Sequence, residues 1–115
     1  MNTEAMTEPQ LADELAKIVP WLVHVGSIDD LVAIIREKLP GVMISYLHDY
    51  SDTNPDCDPR IRCEASVVRL TNGQTDGVWI DNGKTMWSAL ARSVLVAART
   101  ILAAHEVEGK NVPNS

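Results

Sequence analysis

Residues 42–105, VMISYLHDYSDTNPDCDPRIRCEASVVRLTNGQTDGVWIDNGKTMWSALARSVLVAARTILAAH, decide the fold, because their hydrophobic period changes from strand-like to helical along the way. Val42 to His48 alternates and reads as a strand. Ser51 to Pro59 is crowded with Asp, Asn, Thr and Pro, the chemistry of a polar loop. Ile61 to Leu70 reads as a second strand with Ile61, Cys63, Ala65 and Val67 on one face. Asn72-Gly73 predicts a tight hairpin turn, since both residues accept positive φ. Gly77-Val78-Trp79-Ile80 continues a third strand, which Asp81-Asn82-Gly83 ends. Thr85 then caps a helix over about Met86 to His105. Met86, Leu90, Val94, Ala97 and Ile101 form one apolar stripe; Trp87, Ala91, Leu95, Ala98 and Leu102 form its neighbour. Two adjoining stripes make a wide face for covering a sheet, and the alanines let the backbones approach closely.

Upstream, Thr7-Glu8-Pro9-Gln10 carries the pattern of a capping box, with Pro in the first turn. Leu11, Leu15, Ile18 and Leu22 follow at helical spacing, with Pro20 expected to kink or end that helix. Ser27 and Asp30 begin a second helix, whose stripe is Leu31, Ile34, Ile35 and Leu39 and whose stop is Pro40-Gly41. The expected class is α+β: a three-stranded antiparallel sheet packed with helices, in the order α-(α)-β-β-β-α. One domain spans 7–105, between a flexible start at 1–6 and a polar tail at 106–115. A chain of 115 residues, 45% hydrophobic, has enough apolar material for one core.

The net charge of −6 argues against a nonspecific binder of phosphate backbones. The charge is also uneven: residues 1–58 hold 11 acids and three bases, whereas 59–115 hold five acids and seven bases. An acidic region attracts a basic partner and repels nucleic acid. No uninterrupted apolar run reaches the length of a membrane span, and Met1-Asn2-Thr3-Glu4 does not open like a secretory signal. Two cysteines, Cys57 and Cys63, without an export signal fit a reducing cytoplasm and free thiols.

Asp76-Gly77-Val78-Trp79, followed by Gly83-Lys84-Thr85-Met86-Trp87-Ser88-Ala89-Leu90-Ala91-Arg92, resembles the closing segment of small bacteriophage proteins of the phage ABA sandwich kind. In those an aromatic-bearing strand, a Gly-led turn and an Ala-rich helix end the domain. The resemblance spans roughly residues 42–105 and lies in layout; the same layout is similar to the double-stranded RNA-binding domain. What it implies is a phage or prophage origin and no assigned chemistry.

No residue pattern points to catalysis. Asp52 to Asp58 sets oxygen side chains at alternate positions, as a calcium loop does, but Cys57 and Cys63 stand where such a loop needs Gly and a bidentate Glu. His48, Cys57 and Cys63 match no compact zinc spacing. There is no Gly-x-Ser-x-Gly elbow and no phosphate-cradling glycine loop. No cofactor or metal is expected. For RNA the basic supply is thin: Lys84, Arg92 and Arg99 along the last helix. Trp79 reads as core, near Trp87, while Trp21 and Trp87 are equally suited to core or interface.

The resulting expectation is a non-enzymatic phage accessory protein acting through protein–protein contact. Its most concrete form is an acidic, anti-CRISPR-like inhibitor that covers a basic surface on a host nucleic-acid-handling complex in the host cytoplasm. The residues expected to carry it are Asp49, Asp52, Asp56 and Asp58 on the loop, then Asp29, Asp30 and Glu37, with Trp21 and Trp87 as apolar anchors. A monomer or a homodimer would serve. The competing expectations are an RNA-binding module using Lys84, Arg92 and Arg99, a structural phage protein, and a calcium-dependent binder.

Overall fold

The computed structural model describes residues 6–20 and 24–111, with side chains as far as residue 104. The order is α1 (Glu8–Ala16), α2 (Ile28–Lys38), β1 (Val42–Asp49), β2 (Cys63–Thr71), β3 (Gln74–Gly83) and α3 (Met86–Asn111). This is the α+β arrangement that the periodicities predict.

Both helix starts follow from their caps. Thr7 and Gln10 close a reciprocal capping box, the Thr7 amide donating to Gln10 Oε1 at 2.9 Å. Ser27 Oγ accepts from the Asp30 amide at 3.3 Å, and Asp29 and Asp30 complement the positive end of α2. α1 stops at Ala16, short of Pro20, and the Ile18 and Val19 amides both donate to the Leu15 carbonyl in a closing turn. Val19 precedes the proline, a position that disfavours helical backbone, so the break comes upstream of the ring. Leu11, Leu15 and Val19 are fully buried, as are Leu31 and Ile34 of α2. Leu22 lies outside the described residues.

The sheet is antiparallel throughout, in the order β1-β2-β3. Thr71 sits opposite Gln74, so the hairpin turn has two residues, and Asn72 (φ 54°) and Gly73 (φ 79°) both take the left-handed conformation it demands. β2 begins at Cys63, later than its apolar pattern suggested. Ile61 belongs to a single 3₁₀ turn, Pro59–Ile61, and is half-exposed, while Cys63, Ala65 and Val67 are buried. A second 3₁₀ turn, Tyr50–Asp52, opens the connection from β1. β1 contains a bulge: Ile44 pairs with Val67 and Tyr46 with Ser66, leaving Ser45 unpaired. Val42, Ile44 and Leu47 thus face the helices, and Met43, Tyr46 and His48 face away.

α3 is the centre of the core, touching all three strands as well as α1 and α2. Trp87, Leu90, Ala91, Val94, Leu95, Ala97, Ala98 and Ile101 are buried; Met86 and Leu102, at the two ends of the stripes, are not. Residues Met86–Ala104 have a mean hydropathy of 1.3, enough by length and composition for a membrane span, yet 61% of that window is buried within this fold. Its apolarity serves the core. Buried Ser93 finds the carbonyls of Ala65 (2.9 Å) and Ala89 (3.1 Å), which ties the helix to β2. Gly83 lets β3 meet the helix start: an added Cβ would lie 2.7 Å from the Ala89 nitrogen and overlap Ser88 Oγ. The helix runs to Asn111, past the expected end at His105, so 106–111 are helical rather than tail.

Candidate interaction surface

α3 packs on one side of the sheet, α1 and α2 pack against α3, and the alternate residues of every strand are left on the other side. That outer face carries Met43 (49% exposed) and Tyr46 (39%) on β1, Leu70 (38%) on β2, and Val78 (51%) and Ile80 (54%) on β3. Register gathers them into cross-strand rows: Met43–Val68–Val78, then Tyr46–Ser66–Ile80, then His48–Glu64–Asn82. Ser66, between Tyr46 and Ile80, is buried. The face is apolar over two rows and polar at its third.

The polar row is organised around Glu64 on the central strand. Its Oε1 accepts from the hydroxyls of both Tyr46 and Tyr50, the latter at 3.1 Å. With its amide oriented to donate, Asn82 reaches the other oxygen, Oε2, at 3.2 Å. The His48 and Tyr50 rings meet edge to face with centroids 4.4 Å apart. The hydrogen bond to Glu64 leads in pushing the Tyr46 phenol up to about 12, with desolvation adding to it. The Tyr50 phenol rises for the same reasons. Among the described residues no Lys, Arg or His pairs with Glu64.

The loop acids behave differently. Asp49 is held by Arg62 (3.1 Å) and by the Ser51 amide and hydroxyl (2.9 and 2.6 Å), first the arginine and then Ser51 holding its carboxyl well below the usual carboxylate range. Asp58 pairs with Arg60 at 2.9 Å, which lowers its pKa in turn. Two of the four expected loop contacts are thus already neutralised by arginines within the same connection. Asp52 and Asp56 remain exposed and, among the described residues, without an ion pair. On α2, Asp29 and Glu37 are exposed, but Asp30 is buried: it accepts from the His24 amide at 2.7 Å and faces the His24 ring at 3.3 Å. Asp30 is thus tied to the chain that leads into α2 and is turned away from solvent.

Trp87 is 3% exposed and belongs to the core, because its helix position turns it inward; Trp21 lies outside the described residues. Trp79 is half-buried against the core and folds over Gly77, where a Cβ would meet its ring at 2.6 Å. The set expected to touch RNA is mostly engaged within the fold. Arg92 donates to the carbonyls of Asn82 (2.7 Å) and Met6 (3.1 Å), and Arg99 approaches Glu14 at 3.4 Å. Lys84 is exposed beside a groove of about 940 Å³ that Met6, Glu8, Asp58 and Arg60 also line. Cys57 and Cys63 are both free thiols, and burial raises the pKa of Cys63. Among the described residues no three His, Cys, Asp or Glu side chains gather as a metal site needs.

Sequence reasoning missed the outer face. A signal for it exists in Val78-Trp79-Ile80: three consecutive apolar residues in a strand must place apolar groups on both sides. The Glu64 cluster has no such local signature. Compared with models of known families, with curated proteins and with solved structures, the chain finds no match.

Proposed function

We propose that this is a non-enzymatic binding protein whose open sheet face docks a protein partner. One observation carries the reading: Met43, Tyr46, Leu70, Val78 and Ile80, contiguous through the strand register, leave an apolar face in water. Single exposed apolar residues are ordinary; a continuous patch bordered by polar groups is the signature of a contact surface. The more specific form is a phage-encoded inhibitor of a host nucleic-acid-handling complex. Two things support it: the resemblance in layout to small phage proteins, and a net charge of −6 that would speed encounter with a basic surface. In that form the apolar face supplies affinity, while Asp52 and Asp56, the loop acids left unpaired among the described residues, supply steering.

Affinity capture from host lysate at low and high salt tests both parts, comparing wild type with Ile80→Glu and with the pair Asp52→Lys, Asp56→Lys. The face reading expects Ile80→Glu to lose the partner at every salt concentration. The steering reading expects the loop variant to keep it with a weaker dependence on salt. A partner retained by Ile80→Glu and lost by the loop variant would return the interface to the acidic loop. Capture of duplex RNA alone would favour the module built on Lys84.

A further inference from the structure

We propose that Glu64, ringed by Tyr46, Tyr50 and His48, is the anchor for an arginine side chain of a partner segment lying across the outer sheet face. The inference rests on the reading of that face as a docking surface, and it names the chemistry of the occupant.

The acids on and beside the sheet differ in what holds them. Asp49, Asp58 and Asp76 are each matched to an arginine: Arg62, Arg60 and Arg69. Glu64, on the central strand and partly shielded, has two phenols and an amide instead. Neutral donors fix a carboxylate's direction but do not cancel its charge. An uncancelled charge at the border of two apolar rows is a costly neighbour for an apolar partner and a favourable one for a cation.

The hydrogen-bond inventory says what kind of cation fits. An ionised carboxylate offers about four acceptor directions. Tyr46 and Tyr50 use those of Oε1, and Asn82 uses one at Oε2, leaving one for an incoming N–H. The rings of Tyr46, Tyr50 and His48 stand at the border of the same row. A guanidinium can give that single charge-assisted bond and lay its flat face on an aromatic ring. An ammonium is more strongly hydrated and would give up more on leaving water. Ile80 and Val78, one and two rows along from Glu64, would receive the apolar residues two and four places from the arginine in an extended segment, the positions that share its face.

The test is an NMR titration of the isotope-labelled full chain with three acetylated, amidated pentapeptides: Val-Ser-Val-Ser-Arg, Val-Ser-Val-Ser-Lys and Val-Ser-Val-Ser-Gln. The expected result is saturable movement of the Tyr46, Tyr50 and His48 ring signals with the arginine peptide. The lysine peptide should bind more weakly and the glutamine peptide about tenfold or more weakly. Glu64→Gln should abolish the preference for arginine, and an amide spectrum like that of the wild type certifies its fold; Glu64→Asp, which keeps the charge but shortens the reach, should reduce it. Equal affinity for the glutamine peptide, seen at the Val78 and Ile80 methyls, would overturn the arginine anchor and leave the docking face standing. Movement confined to Asp52 and Asp56 would place the cation site on the loop and overturn the anchor. No movement with any peptide would overturn both anchor and face.

Discussion

The two sides of one three-stranded sheet are built from adjacent residues of the same strands and have opposite fates. On the inner side Val42, Cys63, Ala65 and Val67 are buried beneath α3; on the outer side Met43, Val78 and Ile80 are about half exposed. Their side chains are of similar hydrophobicity, so composition does not separate them. What separates them is whether a helix lies on top. The inner side therefore governs stability, and the outer side is free to be selected for contact with something else.

The largest expected effect tests the inner side. Leu90→Ala empties a fully buried position of α3 and should cost about 2–5 kcal/mol, read from the midpoint of chemical denaturation. Ile80→Thr, on the outer side, keeps a β-branched shape and should change stability by no more than about 0.5 kcal/mol. Comparable losses from the two would break the contrast.

Glycines give a sharper, smaller version. Gly83→Ala pushes a methyl into the Ala89 backbone and should destabilise by about 1–3 kcal/mol, since a helix start cannot move aside. Gly77→Ala meets only the Trp79 ring, which is half-buried and can swing, so its cost should be the lesser of the two in the same assay.

The smallest effect concerns the Glu64 cluster alone. Phenolate absorbance should show Tyr46 ionising at about 12 in the wild type and moving toward the ordinary value of 10.0 in Glu64→Gln. The raised pKa means that the fold favours the neutral phenol, so its contribution to stability is full below pH 10.0 and fades as pH rises toward about 12. A Tyr46 titration unchanged by the substitution would mean that the phenol and Glu64 are not coupled in solution.

Much of the fold was legible because its signals are local. A capping box needs Thr7 and Gln10 three residues apart, and the hairpin turn needs only Asn72-Gly73. The width of the α3 stripe likewise announces a helix that covers a sheet. The site was less legible. Counting acids along Asp49–Asp58 misjudged the loop, because Arg60 and Arg62 lie just beyond it and fold back upon it. Trp87 could not be assigned to core or surface from its stripe, since the stripes of α3 meet both sheet and helices.

By itself, then, the sequence determined the α+β class, the element order, the caps and the hairpin turn, all of which depend on residues a few positions apart. Only the tertiary structure decided which side of the sheet stays open and what gathers there. Simple alternation from Val42 would put Tyr46 and His48 on the inner side with Ile44, but the bulge at Ser45 reverses the count and turns both outward. Tyr46 then reaches Glu64, 18 residues away, and Asp49 reaches Arg62, 13 residues away. The physical reason is that an extra residue in a strand leaves the alternation on either side of it intact; its position is fixed by pairing with β2, which no local pattern in β1 records.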